Sequence, residues 1–159
     1  MFKNDDIEGV IIRPLEMFQD PRGWLSELFR ADELPSGFAP AMSYISATLP
    51  GITRGPHEHV EQTDFFCFIG PSNFKVALWD ERKDSSTYRN RMVAHVGEGN
   101  PSQVIVPPGV VHAYKNVGDI PGWVMNFPDR LYKGPGKKEV VDEIRHEDNP
   151  RSGFAIDDF

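Results

Sequence analysis

Three of the five histidines in this 159-residue chain fall into two short segments. The first is Gly51-Ile-Thr-Arg54-Gly55-Pro56-His57-Glu58-His59, followed by Asp64, and the second is Pro107-Pro-Gly109-Val-Val-His112. Residues two apart on an extended strand leave the same face, so the side chains of His57 and His59 start about 6–7 Å apart. Imidazoles placed in that way can converge on one small object, either a reacting carbon or a metal ion. The segments therefore predict a polar site inside β-structure.

The elements that must hold this site are short. Fourteen Gly and fourteen Pro interrupt the chain too often for long helices. Between the breaks lie β-rich runs: Val10–Arg13, Ala41–Thr48, Asp64–Ile69, Phe74–Trp79, Met92–Val96, Gln103–Val106, His112–Val117 and Trp123–Phe127. Short strands separated by turn signals predict an antiparallel sandwich or barrel. Residues 30–34 are read as a helical turn or two, and residues 145–159 as a surface-hugging or partly loose end. Alternation places Asp64, Phe66 and Phe68 on one face of their strand, with Phe65, Cys67 and Ile69 on the other. His112, Tyr114 and Asn116 likewise share a face. Buried polar groups cost free energy unless paired, so polar rows of this kind are expected to line a site.

Bulk properties narrow the partners. The length fits one domain with a real core. A net charge of −7 argues against nucleic acid or an anionic membrane as partner, since both demand a basic footprint. The single cysteine, Cys67, leaves no internal disulfide and fits a reducing cytoplasm. No apolar run approaches the ~20 residues of a membrane span, and the first residues have no signal-peptide character. A soluble, cytoplasmic protein is expected.

The same residues resemble the two cupin motifs. Gly51, His57, His59, Asp64 in place of a glutamate, and Gly70 follow the first; Pro107, Gly109, His112 and Asn116 follow the second. Within the cupins the chain is similar to the dTDP-4-dehydrorhamnose 3,5-epimerase family. Asp20-Pro-Arg22-Gly23-Trp-Leu-Ser-Glu27, Arg54-Gly55-Pro56-His57, Asp80-Glu-Arg82-Lys-Asp-Ser85-Ser-Thr87 and Gln103-Val-Ile-Val-Pro107-Pro-Gly109-Val-Val-His112 carry that likeness in order along most of the chain.

The resemblance implies an all-β fold: a cupin double-stranded β-helix (jelly-roll) barrel with a few short helical turns. One domain covers 1–159, with its barrel core at about 40–130. The N-terminal strands and C-terminal tail would lie on that core or on a partner subunit. It implies a nucleotide-sugar substrate and a second copy of the chain in a homodimer. His57 would be the general base and His112 a second active-site histidine, with Asp64 beside them. Arg22, Glu27 and Arg54 would touch the substrate, as arginine's planar fork suits a diphosphate. Gln62, Tyr114, Asn126 and Tyr132 complete the expected substrate-binding set. Tyr114 and Tyr132 are also candidates for a displaced proton donor.

Departures from the family pattern fall at the chemistry. The family's lysine falls at Asp64, its tyrosine at Asn126 or a neighbour, and the aspartate paired with its histidine in a C-terminal stretch that is missing or replaced. His59 stands where the family has glutamine. Three hypotheses follow. One is a nucleotide-sugar epimerase or isomerase that removes a proton next to a ketone and requires no cofactor. Another is a metal-dependent cupin isomerase or oxygenase acting on a different small molecule, with Fe, Mn, Ni or Zn held by His57, His59, Asp64 and His112. The third is a non-catalytic sugar-binding cupin. A His57 that binds metal cannot also be the free base, so the first two readings compete. His95 and His146 are expected at the ordinary surface, and Glu58 and Glu61 in solvent.

Overall fold

A computed structural model of the chain describes residues 2–149 and 151–157. Two antiparallel sheets face each other across a barrel interior. The first carries β1 (Lys3–Asn4), β9 (Asn90–Gly97), β8 (Asn73–Asp80), β11 (Val110–Asn116), β6 (Thr53–Glu58) and β13 (Ile144–Arg145), in that spatial order, with the short β1 joined in parallel. The second carries β2 (Ile11–Pro14), β10 (Ser102–Val106), β7 (Asp64–Phe68), β12 (Gly122–Asn126) and β5 (Tyr44–Thr48). A hairpin of β3 (Phe18–Asp20) and β4 (Gly23–Leu25) stands apart from both.

The expected strands are all present, seven within two residues of their predicted bounds, while the run expected from Ala41 begins as a strand only at Tyr44. Residues 30–34 differ from expectation. They form a turn, closed by the Glu33 N–H donating to Arg30 O at 3.1 Å, and the one helical turn among the described residues is Pro135–Lys137.

Alternation along β7 shows how the core is divided. Phe66 and Phe68 point into the barrel, where they join Phe74, Val76, Leu78, Val104, Val110 and Tyr114. Phe65 and Cys67 face outward, yet they are also buried, because Leu28, Leu34, Phe38 and Phe127 cover them. β7 thus has two buried faces, and its five residues are buried without exception. The outer face of the other sheet is sealed differently: Trp79, Ala77, Val111 and Ala113 lie beneath Phe2, Phe154 and Ile156. The tail is therefore fixed to the barrel through its apolar residues, and its charges remain outside.

A bulge sets the position of the first histidine segment. His112 pairs with His57 and Tyr114 with Arg54, so Gly55 and Pro56 together oppose Ala113 alone. Gly55 adopts φ +80°, and a Cβ there would lie 2.6 Å from His112 O. Only glycine satisfies both constraints.

Candidate active site

His57 (β6), Asp64 (first residue of β7) and His112 (β11) come from both sheets and meet at one end of the barrel, together with His59 just beyond β6. They stand at the wall and floor of a cavity of about 1440 Å³. Of the residues expected at the site, Arg54, His57, His59, Gln62, Tyr114 and Tyr132 line it. Asp64, His112 and Asn126 lie just behind that lining, 1%, 3% and 1% exposed.

Asp64 is the hub. Its Oδ1 accepts from Gln62 Nε2 at 2.9 Å and from Asn126 Nδ2 at 2.8 Å. Its Oδ2 lies 3.1 Å from His59 Nε2 and 3.1 Å from His112 Nε2. Burial disfavours the charged carboxyl, but the two imidazoles outweigh burial and hold Asp64 well below the usual carboxylate range. Burial also works against a charged His59; the hydrogen bond and charge of Asp64 overcome it and push His59 up to about 9. His57 differs, because burial and the neighbouring His112 push it down to about 3. Its imidazole is neutral across the physiological range, which is the form a base needs.

Two acids that the sequence reading missed shape this wall. The Glu143 carboxylate places Oε1 3.7 Å from His57 Nδ1, while Arg145 Nε donates to its Oε2 at 2.8 Å. β13 brings them there by pairing Arg145 with His57. The Asp142 carboxylate accepts the N–H groups of Val60, Glu61 and Gln62 at 2.8–2.9 Å, and its carbonyl receives His59 Nδ1. Residues 142–145 therefore supply a carboxylate beside the histidine, in the part of the chain where the family's aspartate was expected to be missing or replaced. In sequence they read only as charged surface, and no spacing signalled the contact.

A third missed residue is Tyr44. It lines the cavity from β5, in the sheet opposite β6, and its hydroxyl accepts from Asn126 Nδ2 at 2.9 Å. Burial pushes its hydroxyl up to about 12. It stands directly across from Asn126, where the family's tyrosine was expected, through a strand pairing that no sequence spacing records.

Other expected site residues have different surroundings. Arg54 is tied down by donating to Thr48 Oγ1 at 2.9 Å and Ala47 O at 2.8 Å. Arg22 and Glu27 lie on and after the β3–β4 hairpin, exposed and outside the cavity lining of their own chain. Asn116 shares a strand face with His112 but lines no site: it binds Ser72 Oγ, Thr48 O and Ile120 O. Glu58 and His146 are not solvated surface groups either. They pair at 2.9 Å, with the His146 ring 4.8 Å from Phe154.

A jelly-roll barrel whose open end gathers a neutral buried histidine, a carboxylate beside it and a facing tyrosine belongs to the cupin-type enzymes that act on small molecules. The profile of the dTDP-4-dehydrorhamnose 3,5-epimerase family matches residues 4–139, and the chain belongs to that family of sugar epimerases. It is 37% identical over 129 residues to the probable low-salt glycan biosynthesis epimerase Agl13 of Haloferax volcanii, covering 80% of this chain and 81% of that one. It is 35% identical over 137 residues to the spore coat polysaccharide biosynthesis protein SpsL of Bacillus subtilis, covering 84% and 89%. A dTDP sugar isomerase from Desulfovibrio desulfuricans G20 superposes with a TM-score of 0.81 over 96% of this chain and 94% of that one; at 23% identity this likeness speaks for the fold.

Proposed function

We propose that the chain epimerises a nucleotide-linked 4-keto-6-deoxyhexose, with His57 removing the proton next to the ketone and Tyr44 returning one to the opposite face of the sugar. The observation that carries this reading is the placement of His57 and Tyr44 on facing sheets around one cavity. An epimerase must take a proton from one face of a carbon and deliver one to the other, so its base and acid belong on opposite walls. Glu143 lies on the Nδ1 side of His57 and would stabilise the imidazolium formed when the proton arrives. Tyr114 shares the sheet of His57 and is 5% exposed, so it serves the wall rather than the acid role. Proton removal and return leave the oxidation level of the sugar unchanged, so the reaction requires no redox cofactor.

Arg54 and Tyr132 at the cavity wall suit the diphosphate and the sugar or base. Arg22 and Glu27 fit a substrate role through a homodimer, in which the hairpin of one copy reaches the cavity of the other. Exposed Phe18, Trp24 and Leu25 on that hairpin support such docking. No described helix is long and apolar enough to cross a membrane, and with one buried cysteine this favours a cytoplasmic setting. The names of the two relatives point to glycan or polysaccharide assembly as the use of the product. Incubation with a dTDP-4-keto-6-deoxyhexose, followed by analysis of the product's configuration, tests the reading. Inversion beside the ketone, lost in His57→Ala, is expected; unchanged sugar from the wild-type chain contradicts it.

A further inference from the structure

β13 brings Glu143 to His57, yet nothing in β13 itself accounts for its position. The strand is two residues long, lies at the edge of its sheet, and both of its residues are exposed. So short a pairing is marginal in water, and the segments that flank it must hold it in place. On one side the Asp142 carboxylate accepts the N–H groups of Val60, Glu61 and Gln62. On the other side stands His146. Its backbone N–H donates to Pro56 O and its Nε2 donates to Glu58 Oε1, both at 2.9 Å.

Alternation gives this segment two faces. Glu143, Arg145 and Glu147 line the cavity, whereas His146 turns to the outer side of β6 and meets Glu58 there. His57 and Glu58 are consecutive on β6, so Glu58 points away from the face that carries the base. The outer side continues into the C-terminal tail. The Phe154 ring stands edge-on to His146 at 4.8 Å and lies 5.6 Å from Trp79 and 5.8 Å from Phe2. Trp79 on β8 is 1% exposed, and Ile156 in the same cluster is 6% exposed. Contacts therefore run without a break from the buried outer face of β8, through Phe154 and His146, to Glu58 behind the base.

We propose that His146 and Phe154 form a clasp on the outer face of the barrel that positions Glu143 against His57. Both are positioning residues: neither lines the cavity, and each acts through the strand that carries the carboxylate. The Glu143 carboxylate lies 3.7 Å from His57 Nδ1, longer than a hydrogen bond, so the placement of β13 sets that distance. The clasp rests on the role given to Glu143 in the epimerase reading. Its geometry also makes a claim about the His57 ring that needs no substrate.

Two readouts on the full-length chain test the clasp. The first is the nitrogen NMR signals of the His57 ring without substrate. Glu143→Gln is expected to shift them, and His146→Ala and Phe154→Leu to shift them in the same direction. Combining either with Glu143→Gln should add nothing, because residues that act through one another are not additive. The second readout is turnover of a dTDP-4-keto-6-deoxyhexose. In His146→Ala kcat is expected to fall about tenfold to a hundredfold with KM little changed, the usual result of displacing a catalytic partner. His146→Gln, which can still donate to Glu58, should recover most of that loss. If His146→Ala does not fold, Phe154→Leu carries both readouts. Wild-type His57 signals in folded His146→Ala or Phe154→Leu overturn the clasp, as do losses that add in full to those of Glu143→Gln. Unchanged sugar from the wild-type chain removes the epimerase reading instead, and the His57 signals then decide the clasp alone.

Discussion

Tyr44 and Asn126 stand directly opposite each other on β5 and β12, and the Asn126 amide donates to the Tyr44 hydroxyl at 2.9 Å. The same amide nitrogen donates to Asp64 Oδ1 at 2.8 Å, so the tyrosine at the cavity wall is linked to the buried carboxylate behind it. The hydroxyl is thereby oriented with its proton free for the cavity. Burial keeps that proton in place by pushing the group up to about 12.

Replacing Tyr44 with phenylalanine therefore separates the two halves of the reaction. Proton removal continues, whereas delivery to the opposite face slows by about 10²–10⁴, the usual contribution of a positioned acid. Product configuration and loss of substrate tritium, measured on the same sample, distinguish the steps. Equal loss of both would assign Tyr44 to binding instead.

Glu143→Gln keeps the shape of the wall but removes the charge that favours the His57 imidazolium. A fall in kcat of about tenfold to a hundredfold is expected, with KM little changed, because the charge acts only once the proton has moved. Circular dichroism should be unaltered. A selective rise in KM would place Glu143 on the substrate instead.

Gly55→Ala tests the bulge. Its Cβ would approach His112 O to 2.6 Å at a φ of +80°, so the strand must shift. A loss of about 2 kcal/mol or more in denaturant unfolding is expected. Activity should fall further than stability because His57 is re-aimed. Wild-type stability and turnover in this variant would show that the bulge has no role in positioning.

Stability should also fall in acid through Asp80. Burial raises its pKa, but hydrogen bonds from Arg82, Thr87 and Ser85 outweigh that and bring it down to about 2 from 3.8. A folded-state pKa below the unfolded one gives stabilisation that is complete above about pH 4 and lost as the pH falls towards 2. Its size is about 2 kcal/mol. Comparing urea midpoints of wild type and Asp80→Asn across pH 5 to 2 isolates this contribution: the gap should be widest at pH 5 and close in acid. A gap independent of pH would refute the linkage.

The legible parts of the molecule were those encoded locally. Alternation in Asp64–Phe68 revealed an inward face and an outward one, and both exist because this strand lies between the barrel core and residues 28–38. The histidines at 57, 59 and 112 and the acid at 64 were visible because turn residues and motif spacing mark their strand ends. Glu143 and Asp142 were not visible, since they reach the site through pairing of β13 with β6 across more than eighty residues. No local period records such a contact. The Asp80–Thr87 motif belongs to the fold: Arg82, Ser85 and Thr87 close a turn around a buried carboxylate, outside the cavity lining. Arg22 and Glu27, on and after the β3–β4 hairpin, were expected at the substrate but lie outside the cavity lining of their own chain.

Solvent deuterium exchange tests the central claim most directly. A dTDP-4-keto-6-deoxyhexose incubated with the chain in D₂O should gain deuterium at a carbon flanking the ketone. His57→Ala should reduce that exchange by about 10²–10⁴ while nucleotide binding persists. Exchange at the wild-type rate in folded His57→Ala, or its absence in the wild type with substrate bound, would contradict the account.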